Sequence, residues 1–152
     1  DIIVLAKSTG VLEFTTGTYG QEICVDSIIK GNEWIDENEA CWIWRSYGME
    51  VMDGQIVYRN VLNLMQDDGT YLVFLNSNQL NQYRTEKEFQ TASEYFGYLP
   101  IEGAKVQPIK ENQRNVLYKE WSEIPVFISS EKVAAAWNEI AEMLLNKFEP
   151  DA

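Results

Sequence analysis

Two tryptophans separated by one residue, Trp42 and Trp44, are the side chains in this chain best suited to binding chemistry. The segment 40–45 around them is typical of a β-strand, in which alternate residues face the same side. Two indole rings on one side of a strand can form an aromatic platform for a sugar or a peptide. The same rings could instead pack in the core or seat a helix, and the sequence leaves both interpretations open.

A third aromatic candidate lies in the segment 95–100, which is typical of an edge strand ended by Pro100. We name its Tyr98, together with Trp42 and Trp44, as the candidate ligand-binding residues. Core packing is the alternative interpretation for Tyr98 as well.

The chain contains no histidine, which is the usual general base and the commonest metal ligand. Serine–histidine and cysteine–histidine catalysis are therefore excluded within this chain. Two cysteines without histidine partners cannot form a structural zinc site. We predict that the protein is not an enzyme and that it holds no metal and no cofactor.

Acidic residues cluster at Asp36, Glu37 and Glu39, and again at Asp67 and Asp68. Neither cluster has the spacing of an EF-hand calcium loop, so both are interpreted as solvated loop acids. A pair of carboxylates from distant strands could still act as in glycoside hydrolases, but no particular pair stands out.

Two cysteines, Cys24 and Cys41, lie on segments that we expect to form consecutive strands. In an exported protein they could pair as one disulfide, and in the cytosol they would stay small buried thiols. Because a disulfide needs strand neighbours in the right register, the sequence leaves both outcomes open.

The net charge of −12 limits the partners of the chain. Nucleic-acid phosphates and anionic lipid would repel it, so we predict no nucleic-acid partner. The chain begins with Asp1 rather than Met, so we expect that an earlier segment was removed, and a signal peptide or lipid anchor would be lost with it. A membrane contact is expected only through such an anchor, since no apolar run is long enough to span a bilayer.

Two segments dominate the structural prediction. The apolar run 69–75, bounded by polar turns, predicts a strand buried on both faces at the middle of a β core. Near the end of the chain, apolar residues at helical spacing predict helix 131–147, capped by Ser129 or Ser130. Its expected docking face consists of Val133, Trp137, Ile140 and Leu144.

The remaining β signals are short, and they predict strands at 2–6, 22–29, 40–45, 55–58 and 115–118. The alternation slips at 27–29, which predicts a β-bulge, and residues 85–93 could form one or two helical turns. With no repeat or linker to divide it, the chain is predicted to be one domain, residues 1–152. The predicted fold is mainly β (α+β): a small OB-like β-barrel or strongly curved sheet with the C-terminal amphipathic helix over one end or face.

Three segments carry a resemblance to known proteins: residues 1–7 (DIIVLAK), residues 23–25 (ICV) followed by residues 28–32 (IIKGN), and residues 68–75 (DGTYLVFL). In this order they resemble a class of bacterial secreted or lipid-anchored proteins, mostly uncharacterised. That pattern is in turn similar to the netrin-like domain of the tissue inhibitors of metalloproteinases, an OB-type barrel. The resemblance spans residues 1–75 and implies a netrin-like fold and an extracytoplasmic location. It implies no protease inhibition, because Asp1 stands where those inhibitors have a zinc-chelating cysteine.

Three function classes follow from these observations. The first is an extracytoplasmic, non-catalytic binding or interaction domain, secreted or membrane-anchored, whose partner is a protein or a cell-envelope ligand. The alternative is a cytosolic acidic interaction protein, such as an immunity protein that neutralises a basic toxin. A carboxylate-dependent hydrolase ranks below both. The sequence assigns no oligomeric state.

Overall fold

The computed structural model describes residues 1–15, 18–46, 49–52, 55–58, 62–77, 84–102, 106, 108, 126–128 and 130–148. Within these residues the chain forms eight strands and one helix: β1 (Ile2–Phe14), β2 (Thr18–Lys30), β3 (Ala40–Ser46), β4 (Met49–Met52), β5 (Gln55–Tyr58), β6 (Thr70–Leu75), β7 (Lys87–Gln90), β8 (Tyr98–Pro100) and α1 (Glu131–Phe148). The prediction of a mainly β fold with a C-terminal helix is confirmed.

Six of these strands form one sheet in the order β7-β3-β2-β1-β6-β8, and β4 pairs with β5 in a separate hairpin. Neighbours in the large sheet are antiparallel except β3 and β7, which run parallel. The sheet is not closed among the described strands. It curves enough for β6 to approach the end of β7, where Leu75 forms an isolated bridge with Thr91, and the Ala92 N–H donates to the Phe74 carbonyl at 2.8 Å.

Extra residues in β2 help the sheet to curve. Ile3 pairs with Lys30 and Val4 pairs with Ile28, so Ile29 is an extra residue in the β1–β2 ladder. This confirms the bulge predicted at 27–29, and a second shift leaves Asp26 unpaired as well. Bulges bend a strand and increase its twist, which favours a curled sheet.

The inner face of the sheet forms the core. Alternate residues of the strands point into it, as the period of two requires. Its buried sheet residues are Ile2, Val4, Ala6, Ile23, Val25, Cys41, Ile43, Tyr71, Val73, Leu75, Phe89 and Tyr98. Strand β6 is therefore central to the core, as predicted.

Strand β6 is also covered on its outer face, which confirms burial on both sides. Leu72 clusters there with residues of β1, and α1 covers the cluster through Leu145 and Phe148. The rings of Phe74 and Phe148 meet edge to face with centroids 5.8 Å apart. The C-terminal half of the helix thus closes the outer face of β1 and β6.

Helix α1 begins after Ser130, whose hydroxyl accepts from the Val133 N–H at 3.4 Å, consistent with the predicted cap. The predicted docking face is partly wrong, because Val133 is 47% exposed and Ile140 is 39% exposed. The buried helix residues are Ala134, Trp137 and Ala141. Alanines carry little apolar surface, so a prediction based on large apolar residues overlooked Ala134 and Ala141.

Of the predictions for three other short segments, one is confirmed, one is wrong and one lies outside the described residues. The strand predicted at 55–58 is confirmed as β5, and the strand predicted at 115–118 lies outside the described residues. Residues 85–93 do not form helical turns, because Lys87–Gln90 pair with β3 instead. Over the described part of the chain, no helix combines the length and apolar character that a membrane span needs.

Candidate functional site

The outer face of β3 carries Trp42 and Trp44, because these residues alternate with core residues of the same strand. Their ring centroids lie 6.0 Å apart with 23° between the planes, so the two indoles are stacked. Trp42 is only 5% exposed, and Trp44 is half-buried. The structure brings the two predicted residues together, but the pair is not the open platform that the sequence suggested.

Both neighbouring strands help to place the indole pair. Strand β2 sets Gly20 opposite Trp44, and β7 sets Glu88 opposite Trp42. A Cβ atom at Gly20 would lie 3.0 Å from carbons of the Trp44 ring, which is too close for an unadjusted contact. The glycine therefore leaves the space that the Trp44 indole fills.

Arg84 covers the indole pair from the segment just before β7. Its Cζ lies 4.6 Å from the ring centroid of Trp42 and 5.8 Å from that of Trp44. Its Nε lies 3.1 Å from Glu88 Oε1, and its Nη2 donates to Glu13 Oε2. A guanidinium can stack on an indole with its face and bond carboxylates with its edge at the same time. The hydrogen bond to Glu13 is the main cause that raises the pKa of Arg84.

Glu88 is the most unusual member of this group because its carboxylate is buried, with 1% of the residue exposed. Its Oε1 accepts from Trp44 Nε1 at 3.2 Å and pairs with Arg84. Its Oε2 has no hydrogen-bond partner within the described residues, and neither has the buried Nε1 of Trp42. A buried acceptor and a buried donor are thus left available beside the indoles. We call Trp42, Trp44, Arg84, Glu88 and Glu13 the tryptophan–arginine cluster.

The tryptophan–arginine cluster has the chemistry of a cation-binding site, and in this structure it holds the planar guanidinium of Arg84. Its aromatic faces attract cations through their ring quadrupoles, and its carboxylates accept charged hydrogen bonds. Sequence reasoning found Trp42 and Trp44 but missed Arg84, Glu88 and Glu13. The one sequence signal for Arg84 and Glu88 is their spacing of four residues, which brings opposite charges together on a helix. Here, however, Arg84 precedes the strand β7 and Glu88 lies within it.

Tyr98, the third predicted ligand-binding residue, lies elsewhere. It is buried in the core on β8, so the structure does not bring it to the indole pair on β3. Its hydroxyl donates to the Asn63 carbonyl and accepts from Arg45 Nη1 at 3.1 Å. Burial raises the pKa of Tyr98 well above its usual value, with Tyr19 adding to the rise and Arg45 opposing it. These contacts favour a structural role for Tyr98.

Arg45 is itself a core residue on the inner face of β3. Its side chain is fully buried and pairs with Glu94 Oε2 at 3.1 Å. A second bond runs from Nη2 to the Glu94 carbonyl at 3.0 Å. The guanidinium thus ties β3 to the segment before β8, where the chain turns back along β6.

Cys24 and Cys41 are free thiols, so the disulfide alternative is wrong. Cys24 pairs with Ala40 and Cys41 pairs with Ile23 across the β2–β3 ladder. The two side chains therefore point to opposite faces of the sheet, and this register rules out a bond between them. Burial is the main cause that raises the pKa of Cys41 to about 12.

Two of the loop acids, Glu39 and Asp67, have structural partners. Glu39 Oε2 accepts from the Asp36 N–H and from Lys87 Nζ, each at 2.9 Å. Asp67 Oδ1 accepts from the Ser8 hydroxyl at 3.1 Å. Among the residues that the structure describes, no three His, Cys, Asp or Glu side chains gather as a metal site would require.

No protein-family model matches the chain, and no curated protein or solved structure matches it either.

Proposed function

We propose that this protein is an extracytoplasmic, non-catalytic binding domain that engages a protein or cell-envelope partner through the outer face of β2, β3 and β7. The observation that carries the proposal is the tryptophan–arginine cluster, in which a buried carboxylate and an indole N–H keep unused hydrogen-bonding capacity. Stable domains rarely leave buried polar groups without partners unless those groups have a use.

The sheet supports the choice of face. OB-type barrels are partly open, and many bind ligands on the face of their second and third strands. Here the corresponding position in the β1–β2–β3 meander carries Trp42 and Trp44. The extracytoplasmic location comes from the resemblance of residues 1–75 and is part of the proposal.

The absence of catalysis is proposed on two grounds. The chain has no histidine, and a carboxylate pair for hydrolysis needs two acids held in one cleft. In the described residues Glu88 is a buried carboxylate, but Glu13, its neighbour across Arg84, has a side chain that is 39% exposed. Their shared contact is the Arg84 guanidinium, which pairs with both carboxylates.

A second candidate is an acidic cytosolic protein that neutralises a basic partner such as a toxin. The net charge of −12 and the carboxylates around Arg84 favour a cationic partner in this case too. Cell fractionation separates the two candidates, because only the first places the protein outside the cytoplasm.

A site-specific crosslinking experiment tests the proposed face. Benzoylphenylalanine replaces Glu22, which is the β2 residue opposite Trp42, in the full chain expressed in its source cells. A matched chain carries the same group at Ile140, on the exposed side of α1. We expect an adduct from position 22 that is absent from position 140 and that disappears with Trp44→Ala.

The result depends on the contrast between positions. An adduct that forms equally from both positions, or one that survives Trp44→Ala, would remove the outer face as the binding surface. Recovery of the protein from the cytoplasmic fraction would overturn the proposed location and favour the second candidate.

A further inference from the structure

Within the tryptophan–arginine cluster, the Arg84 guanidinium makes the contacts that a bound arginine would make. The Arg84 Cζ lies over the Trp42 indole, 4.6 Å from the ring centroid, and its nitrogens contact two carboxylates. Stacking and edge-on hydrogen bonds are the two modes by which proteins read a guanidinium, and a lysine ammonium provides only a point charge. The surroundings of Arg84 are therefore those of an arginine-binding site.

Arg84 does not use this site fully. It reaches Glu88 through Nε alone, at Oε1, where it shares the oxygen with Trp44 Nε1. A guanidinium that approaches end-on offers two parallel N–H groups and bonds both oxygens of a carboxylate. Glu88 Oε2 is buried and has no partner within the described residues, so one half of that fork is unfilled.

Trp42 Nε1 adds a second unfilled contact. It is a buried donor without an acceptor in the described part of the chain. A backbone carbonyl beside an incoming arginine would accept from it, and a free cation would not. The unused groups therefore fit an arginine within a polypeptide better than a small ion.

We infer that the tryptophan–arginine cluster is a receptor site for an arginine side chain of a basic partner protein, and that Arg84 is its built-in occupant. The inference rests on the proposed function and names the ligand class of the same site. The net charge of −12 favours encounter with such a partner.

Arg84 and an incoming arginine compete for one position, because only one guanidinium can stack over Trp42. The wild-type site is open only in the fraction of molecules in which Arg84 has left it. The Arg84 side chain is 27% exposed, so its outer edge already faces solvent. The affinity of the partner is therefore set partly by how firmly Arg84 is held by Glu13 and Glu88.

Emptying the site by mutation provides the test. Arg84→Ala and Arg84→Gln are made in the full chain, the second keeping side-chain bulk in case the first is unstable. Ethylguanidinium chloride at millimolar concentration is the probe, and ethylammonium chloride is the matched control. Tryptophan fluorescence reports binding, and the melting temperature reports stabilisation by mass action.

We expect ethylguanidinium to bind the emptied variants at least about tenfold more tightly than wild type, since the occupant no longer competes. The melting temperature should rise with its concentration, and ethylammonium should have a much smaller effect. The peptide acetyl-Gly-Arg-Gly-amide should bind better than its citrulline counterpart. Adding Glu88→Gln to Arg84→Ala should abolish the preference for the guanidinium.

Several outcomes overturn the inference. Equal responses to the two cations would show a non-specific acidic patch, and equal binding by wild type and variants would show that Arg84 is not an occupant. If the emptied variants ignore ethylguanidinium while the crosslink at position 22 still depends on Trp44, the arginine site is wrong and the proposed binding face stands. If ethylguanidinium binds but no crosslink forms, the inference of a partner protein fails together with the proposed function.

Discussion

Helix α1 and the Arg84 side chain cover two parts of the same outer sheet face by different means. Over β1 and β6, the helix contributes apolar contacts through Leu145 and Phe148. Over β3, a single charged side chain covers two indoles and is held by carboxylates. The helix therefore covers the sheet with apolar contacts like those of a core, whereas Arg84 covers it with the cation–π and ionic contacts that are typical of a bound ligand.

The difference shows in what each cover leaves unfilled. The indole N–H that α1 itself carries is satisfied, because Trp137 Nε1 donates to the Tyr95 carbonyl at 2.9 Å. Under Arg84, the Nε1 of Trp42 and one oxygen of Glu88 have no partner in the described residues. Apolar covers stabilise by area removed from water, and polar covers must match every group to do as well. Arg84 is therefore the cover that could be replaced by a group that also bonds Trp42 Nε1 and Glu88 Oε2.

Trp137→Ala in α1 should give the largest loss of stability. The ring is buried and stacks on Phe96 with centroids 5.5 Å apart. We expect the free energy of unfolding to fall by about 3–5 kcal/mol, measured by urea denaturation. Ile140→Ala is the matched control on the exposed side of the helix and should change it by less than about 1 kcal/mol. Similar losses in both variants would mean that α1 docks through the face expected from the sequence.

Arg84→Met should cost less, about 2 kcal/mol, because it leaves the buried Glu88 without its ionic partner. Arg84 is partly exposed, which keeps the loss below that of a fully buried pair. Adding Glu88→Leu should recover most of the loss, since removing both charges removes the unpaired one. Simple additivity of the two changes, seen in the same urea titrations, would show that the ion pair does not link them.

The buried thiol of Cys41, on the inner face, should make the stability of the protein depend on pH. Burial raises its pKa from 9.0 to about 12, so the folded state keeps the proton over a range in which the unfolded state loses it. The stability it contributes is fully present below pH 9 and is lost as the pH rises toward 12. The free energy of unfolding of the wild type should therefore fall between pH 8 and pH 10. In Cys41→Val this fall should be smaller by about 1 kcal/mol, measured by urea denaturation at the two pH values.

Thiol labelling at pH 8 provides the matching control. Cys24, on the outer face, is half-buried and should react with a thiol reagent in the native protein. Cys41 should react only after unfolding, and Cys24→Val should leave the alkaline slope unchanged. Rapid labelling of both cysteines in the native state would contradict the register that places them on opposite faces.

The smallest effect is expected between the two covers, where the outer face is open to solvent. Lys7 and Asp26 form an ion pair there at 3.0 Å, with half of the lysine side chain exposed. Lys7→Ala should change the free energy of unfolding by less than about 0.5 kcal/mol, and 0.5 M salt should not enlarge the change. A larger loss would indicate that a third cover lies over this strip.

Local patterns predicted the helix cover better than the Arg84 cover. The run 69–75 and the helix 131–147 are each visible within one segment, because period and capping are local properties. The docking face of α1 was partly missed because alanines such as Ala134 and Ala141 carry little hydrophobic signal, although they are buried.

The Arg84 cover depends on pairing between distant segments. Trp42 meets Glu88 only because β7 adds parallel to β3, and their separation in sequence is not a feature that a pattern can reveal. Tyr98 illustrates the same limit, since its aromatic segment predicted a strand but not the face on which the ring would lie. Register decides which side chains meet, and one residue of slip moves a side chain to the other face.

The order of synthesis gives the helix cover a further consequence. Ile3 and Leu5 are synthesised well before the residues that cover them, Leu145 and Phe148. Until those residues have emerged, the nascent sheet exposes an apolar strip on its outer face, and exposed strips of this kind promote aggregation and recruit chaperones. Shortened chains ending before residue 131 should therefore accumulate in inclusion bodies, while the same truncation supplied with the missing helix as a separate peptide should yield more soluble protein.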